Sequence, residues 1–258
     1  MLNELIDSPV FIFLLNLMVL SLSAWIGASV LRGHKELDRE ARENLGVVLA
    51  AALTLLGLII GFTFSMAITR YDLRKNYEEA EANAIGTEYV RADLLPAADA
   101  SSTRVLLRRY IDERVSFYEL RDPGGLRHIN AQTEQLQSEL WSAVKAPALA
   151  QPNSVTTLVL SGMNDVLTSQ GYTQAAWWNR IPGAAWALMV VIAVLCNAMI
   201  GYAGGKQKSR SVLLLVLPFV VSISFFLIAD IDSPSGGIIR VNPQNLLNLA
   251  DSLRDLQR

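Results

Sequence analysis

Cysteine and histidine are scarce in this 258-residue sequence, and each scarcity excludes a kind of site. Cys196 is the only cysteine, so no disulfide can form within the chain. His34 and His128 are the only histidines and lie far apart, so no cluster has the ligand spacing of a zinc site. Neither histidine has a nucleophile beside it. We therefore expect a protein that is not an enzyme and that binds no metal or cofactor.

An excess of positive charge is also missing. The 22 lysines and arginines are balanced by 24 aspartates and glutamates, whereas a nucleic-acid partner needs a basic surface. Charge is absent altogether from four long apolar runs, which span residues 9–31, 45–69, 183–203 and 211–229. About 20 helical residues cross the hydrocarbon core of a bilayer, where only helices and closed barrels satisfy their backbone. The runs do not alternate as strands do, so they predict a multi-pass membrane protein.

The order of apolar and polar segments predicts an all-α fold with four membrane helices and an extramembrane helical bundle. We expect the first two membrane helices in residues 1–69 and an extramembrane helical domain in 70–182. The third and fourth membrane helices follow in 183–230, and residues 231–258 form a C-terminal helical tail that packs on the helical domain. The membrane runs contain no Asp, Glu, Lys, Arg or His residue, which speaks against a proton relay and is compatible with a passive pore.

Inside the helical domain, local signals predict helix ends and solvated faces. Pro96 should end the helix that continues from the second apolar run. Ser101 or Ser102 can cap the next helix, and Gly171 should end the last one. Acidic residues crowd the helix that leaves the membrane, and we expect a solvated face or pairs with nearby basic residues rather than a metal site. These acidic residues are Glu78, Glu79, Glu81 and Glu88.

The second apolar run carries two stripes of residues, each with a spacing of four. Small residues form the first stripe, at Gly57, Gly61 and Ser65. Bulkier residues form the second stripe, about 100° round the helix, at Thr54, Leu58 and Phe62. Small residues at this spacing let another helix backbone approach closely. The spacing favours close packing within one protomer, and the alternative is a helix that lines a narrow ring in an oligomer.

The junction after this run resembles the corresponding helix of the bestrophin family of ion channels. The segment GFTFSMAITRYD at 61–72 has a glycine-phenylalanine pair and then an arginine-aromatic pair, with the family's spacing between Gly61 and Arg70. The residues of this junction motif are Arg70, Tyr71 and Asp72. In bestrophins this helix lines the pore neck with three apolar residues spaced four apart. The resemblance implies a pore neck at the second stripe, where Thr54 departs from the family's apolar residue.

A second match follows the fourth apolar run. The segment LIADIDSPSGGIIRVNPQNLLNLADSL, at residues 227–253, looks like the family's acidic segment, proline-phenylalanine-glycine turn and closing helix. The matching residues are Asp230, Asp232, Pro234 and Gly236. The dense acidic run of calcium-gated animal members is absent, so no calcium site is carried over. Residues 78–96, EEAEANAIGTEYVRADLLP, further resemble a bacterial family of undefined function that is described as bestrophin-like.

The resemblance implies a homopentameric channel in the inner membrane of a bacterium, which conducts small inorganic ions passively and prefers anions. Its partners would be the lipid bilayer, further copies of the chain and the conducted ions. The alternative is a non-conducting membrane scaffold or sensor whose helical domain binds a partner protein or a small ligand. A membrane enzyme ranks behind both, because no acid, base and nucleophile converge in the sequence.

The resemblance and the charge distribution disagree about the membrane orientation. Bestrophin topology implies that the helical domain and both termini lie in the cytoplasm. The two polar loops on the other side carry basic residues at Arg32, Lys35, Arg39, Arg42, Lys206, Lys208 and Arg210. The positive-inside rule would place these loops in the cytoplasm instead. We follow the resemblance and expect a cytoplasmic helical domain.

Overall fold

The computed structural model describes residues 9–31, 38–120, 123–203 and 211–255, and within these ranges every regular element is a helix. The α-helices are α1 (Pro9–Ile26), α2 (Arg39–Arg91), α3 (Ala97–Glu119), α4 (Pro123–Ala150), α5 (Ser154–Trp178), α6 (Gly183–Ala203), α7 (Ser211–Asp232) and α8 (Gln244–Asp255). A π-helical turn, Gly27–Leu31, follows α1, and a 3₁₀ turn, Ala92–Leu94, follows α2. The predicted all-α fold is confirmed. Most of the loop residues weighed for the orientation, in 32–37 and 204–210, lie outside the described residues.

The chain divides into two compact units. The first unit contains the residues up to Arg70 and Arg180–Ile239, and the second contains Tyr71–Asn179 and the residues from Arg240 on. Each of the four predicted apolar runs lies in a helix that is long and apolar enough to cross a membrane. The protein is therefore a multi-pass membrane protein with an additional helical bundle.

In the first unit, α1 packs against both α6 and α7. The Phe13 ring meets the rings of Phe219 and Phe226 edge to face, with centroids 6.1 Å and 6.2 Å away. On the α6 side, the Ser23 hydroxyl donates a hydrogen bond to the Val194 carbonyl oxygen at 2.7 Å. A hydroxyl buried in a membrane bundle needs such an acceptor, because hydrocarbon offers none.

The contact between α1 and α6 depends on two glycines, which the sequence reasoning did not single out. A Cβ atom at Gly27 would collide with the carbonyl oxygen of Ala198. A Cβ atom at Gly201 would collide with the carbonyl oxygen of Ala24. Since both obstacles are backbone atoms, no side-chain rotation could relieve the clash. The two helices therefore approach each other more closely than residues with side chains would permit.

The second unit has an apolar core to which α2, α3, α4, α5 and α8 all contribute. Its fully buried members are Ile85, Leu107, Tyr110, Leu140, Val144, Val159, Met163, Val166 and Leu246. Helix α4 packs along α3 and also along α5, and α8 packs on α3. Tyr71, at the start of this part of α2, packs partly buried against the same core.

Two of the predicted helix ends inside this unit are wrong. Helix α3 begins at Ala97 with Pro96 as its N-cap, so Ser101 and Ser102 lie inside the helix. The Pro96 carbonyl oxygen accepts a hydrogen bond from the Ala100 N–H at 2.9 Å, so the first turn of α3 is already closed before Ser101. Helix α5 runs through Gly171 to Trp178. The cost of an internal glycine, about 1 kcal/mol, is offset because the residues beyond it pack on the core.

Of the two alternatives for the acidic residues of α2, a solvated face is wrong for three of the four, and a pair with a basic residue is present at Glu81, whose partner is Arg114. Glu79 is exposed, but Glu78, Glu81 and Glu88 are buried. They recur at intervals of three and seven residues, which places them on the side of α2 that faces the bundle. Glu78 accepts hydrogen bonds from the Leu246 N–H at 2.9 Å and from Asn245 Nδ2 at 2.7 Å, so it caps the first turn of α8.

Candidate functional site

The membrane segment of α2, residues 45–69, is the least covered of the membrane helices. In its most apolar stretch 6% of the residues are buried, compared with 22% in α1 and 44% in α7. The buried residues lie on one narrow side, at Leu56, Thr63 and Ala67. Most of the remaining residues of this segment are exposed among the described residues of the protomer, and a few, such as Leu53 and Ile59, are half-buried.

The three residues assigned to the pore neck lie on this uncovered surface. The side chains of Leu58 and Phe62 are 53% and 63% exposed, and Thr54 is also exposed. The Thr54 hydroxyl donates a hydrogen bond to the Ala50 carbonyl oxygen at 2.9 Å, so its proton is already bound within the helix. The three side chains follow each other at one-turn intervals and form a continuous exposed stripe.

The small-residue stripe is also open in the protomer. Apart from the adjacent residues and backbone of α2 itself, no heavy atom of the described residues comes within 4 Å of a Cβ atom built at Gly57 or Gly61. Ser65, the third member, is exposed. No other helix among the described residues of the protomer packs on Gly57 or Gly61, and the role of the stripe in helix packing stays a prediction. The close approach that these residues permit is still available to another molecule.

The junction motif lies where α2 passes from the first unit to the second. Arg70 and Tyr71 are half-buried, and Asp72 is exposed. Tyr71 belongs to the periphery of the bundle core. The motif thus marks the boundary between the two units, which falls between Arg70 and Tyr71.

The acidic motif after α7 forms a closed turn. The Asp230 carboxylate accepts hydrogen bonds from the backbone N–H groups of Ile238 at 2.7 Å and Ile239 at 2.8 Å. The Asp232 carboxylate accepts from the Ile181 N–H at 3.1 Å, which ties the end of α7 to the residues before α6. Both aspartates thus satisfy backbone donors.

Two residues of the same turn come from the matched motif, and a third was missed. Pro234 is buried, and the N–H of exposed Gly236 donates to the Ser233 hydroxyl oxygen at 3.2 Å. The missed residue is Gly237, where a Cβ atom would collide with the Asp230 carbonyl oxygen. The paired glycines in the sequence were the signal that could have identified it. In the described ranges, no group of three or more His, Cys, Asp or Glu residues is placed to hold a metal ion.

Known structures share the fold of this chain. A crystal structure of a bacterial bestrophin homolog from Klebsiella pneumoniae superposes with a TM-score of 0.65 at 15% identity, and the match covers 96% of this chain and 97% of that chain. A crystal structure of a membrane protein variant matches with a TM-score of 0.66 at 14% identity, over 96% and 97% of the two chains. No curated protein matches this chain. The family model of the Bestrophin-like domain matches residues 15–246, and the chain therefore belongs to the bestrophin-like family.

Proposed function

We propose that this protein is an oligomeric ion channel, in which copies of the α2 membrane segment surround a central pore. The observation that carries the proposal is the uncovered surface of this segment, where a small-residue stripe and a bulky apolar stripe lie side by side. A small-residue stripe permits close contact with another helix, and no helix of the same protomer takes that place among the described residues. Copies of the same chain are the natural partners, and the family suggests five.

In such an assembly the small stripe and the bulky stripe have different tasks. Gly57, Gly61 and Ser65 would face the neighbouring copy, while the stripe about 100° away would face the axis. Leu58 and Phe62 would then form the narrowest rings, and Thr54 a third ring. Apolar rings of this kind gate a pore by dewetting. Water leaves a narrow apolar constriction, and ions cannot pass through the dry segment without their hydration water.

The proposal includes small ions as the conducted species, with a preference for anions. A phenyl ring has a positive edge and a negative face, so Phe62 rings that turn their edges to the axis would favour anions. The four membrane runs contain no Asp, Glu, Lys, Arg or His residue, so flux would be passive and would follow the electrochemical gradient. We also place the protein in the bacterial inner membrane, with the helical bundle in the cytoplasm.

The test is ion flux through the purified protein in liposomes. The wild type should pass small ions, and Phe62→Ala should raise the flux. A barrier lowered by about 1.4 kcal/mol would raise it about tenfold. Phe64→Ala is the matched control, because Phe64 is also exposed but lies about 200° further round the same helix. It should leave the flux unchanged.

Two outcomes would count against the channel. The first is an absence of flux for the wild type and for Phe62→Ala at every voltage, pH and ion tested. The second is an equal effect of Phe62→Ala and Phe64→Ala, because the change would then not be specific to the stripe assigned to the axis.

A further inference from the structure

The second unit contains an open cleft between the end of α2 and the first half of α3. Its volume is about 500 Å³, and its lining includes Tyr89, Asp93, Leu95, Ser101, Arg104 and Arg108. Sites for small organic molecules usually have volumes of about 300–1,000 Å³. The cleft is therefore large enough for a small metabolite. It lies entirely within the second unit and has no part in the proposed pore.

The two arginines of the cleft are held in place by residues of α2 and the turn that follows it. Arg108 Nη1 donates to the Tyr89 hydroxyl oxygen at 2.9 Å. Arg104 Nε donates to the Tyr89 carbonyl oxygen at 3.5 Å, and its Nη2 pairs with Asp93. The guanidinium carbons lie 5.2 Å (Arg104) and 6.0 Å (Arg108) from the centre of the Tyr89 ring. Both charges are thus positioned before any ligand arrives, which lowers the ordering cost of binding.

The chemistry of the cleft selects an anion. Two guanidinium groups, one helical turn apart on α3, line the cleft together with the Asp93 carboxylate, and the Ser101 hydroxyl is exposed nearby. Arg104 Nη1 makes no hydrogen bond with the described residues, so its two N–H groups remain available. Guanidinium groups bind phosphate oxygens through two parallel hydrogen bonds, which makes arginine pairs typical of phosphate sites.

We propose that this cleft binds a small soluble phosphate ester, with its phosphate between Arg104 and Arg108. Asp93 competes with the phosphate for Arg104, because both are anions that accept from the same guanidinium group. The proposal therefore makes two predictions of opposite sign. Loss of either arginine weakens binding, and loss of the Asp93 charge strengthens it.

The experiment is a calorimetric titration of the purified full-length protein in detergent with inorganic phosphate and, separately, with glycerol 3-phosphate. We expect saturable binding to the wild type and at least about tenfold weaker binding to Arg108→Gln and Arg104→Gln, since each variant loses charge-assisted hydrogen bonds to the phosphate. Asp93→Asn should bind more tightly than the wild type. Arg127→Gln is the matched control, because Arg127 is exposed on α4 away from the cleft and should not affect binding.

A further variant guards against loss of folding as an explanation. Ser101→Trp keeps both arginines and fills the cleft from its exposed rim, so it should also abolish binding. Its elution volume in size-exclusion chromatography should equal that of the wild type, which shows that the protein is folded. An absence of saturable binding of both phosphates to the wild type would overturn the proposal. Equal affinities of the wild type and the two arginine variants, or weaker binding by Asp93→Asn, would also overturn it. None of these results depends on ion conduction.

Discussion

At the scale of single residues, Glu88 has the most unusual environment in the helical bundle. Its side chain is fully buried, and neither carboxylate oxygen has a hydrogen-bond partner among the described residues. A Cβ atom at Gly162 of α5 would collide with this carboxylate and with the Arg91 guanidinium, so both groups lie directly against that backbone. Burial raises the pKa of Glu88 from 4.5 to about 8, Arg91 opposes this shift, and Asp165 adds to it.

The raised pKa predicts a pH-dependent stability. Folding favours the protonated form of Glu88, so the stabilisation is complete below pH 4.5 and is lost as the pH rises through about 8. The free energy of unfolding should therefore fall between these values, by up to about 1.4 kcal/mol per pH unit. Glu88→Gln, which is neutral at every pH, should show a flatter pH dependence of the thermal midpoint in detergent.

The matched control for Glu88 is Glu79→Gln, which changes an exposed carboxylate on the same helix. This variant should keep the pH dependence of the wild type. Equal slopes for the wild type and Glu88→Gln between about pH 5 and pH 9 would contradict the assignment, because Glu88 would then have the same pKa in the folded and unfolded protein.

Glu81, seven residues earlier on the same helix, is buried in a different setting. Its carboxylate accepts hydrogen bonds from Arg114 Nε at 2.5 Å and from the Thr173 hydroxyl at 3.0 Å. The Arg114 guanidinium also lies 4.4 Å from the centre of the Phe117 ring. The Glu81 carboxylate thus has a guanidinium partner and a hydroxyl donor, whereas the Glu88 oxygens have no hydrogen-bond partner among the described residues. Tyr110 feels both burial and the Glu81 charge, which raise the pKa of its hydroxyl.

At the scale of the helices, the glycines of the membrane segments fall into two classes. Gly201 lies against the α1 backbone, whereas Gly57 faces open space within the protomer. The same substitution should therefore have different effects at the two positions. Gly201→Leu should lower the thermal midpoint of the folded protomer, because overpacking costs about 1–3 kcal/mol and the obstacle is backbone. Gly57→Leu should leave the protomer folded but reduce its oligomeric mass in detergent.

The two variants can be compared by size-exclusion chromatography with light scattering, together with thermal denaturation. Gly183→Leu, at the open start of α6, is the control and should change neither the mass nor the midpoint. A wild type that is monomeric in mild detergent would contradict the axial pore. An unchanged mass for Gly57→Leu would show that the small stripe is not the contact between copies.

At the scale of the whole molecule, the membrane orientation is the property that most needs a direct measurement. A reporter that is active only outside the cytoplasm can be inserted after Gln151, an exposed residue between α4 and α5. We expect no activity there, because the proposed topology places the bundle in the cytoplasm. The same reporter inserted within 204–210 should be active. The reverse pattern would show that the basic loops, and not the family topology, set the orientation.

The sequence by itself determined the class of protein and the number of membrane helices. Whether a run of about 20 residues can cross hydrocarbon depends on its own composition and length, so the prediction needs no knowledge of neighbouring helices. The two stripes of α2 can also be predicted from the sequence alone, because a spacing of four defines one side of a helix. Their assignment to the pore neck and to contacts between copies stays a prediction, since it concerns other molecules.

Only the tertiary structure decided which polar residues are buried and which glycines are essential for packing. Glu79 and Glu81 are indistinguishable by local pattern, yet Glu81 meets a hydroxyl 92 residues away in the chain. The sequence does not distinguish Gly201 from other glycines in the membrane runs, but in the structure the α1 backbone packs directly against it. Helix packing brings together residues that are distant in the chain. The resulting burial, pKa shifts and close contacts depend on that packing geometry rather than on the residues adjacent in the sequence.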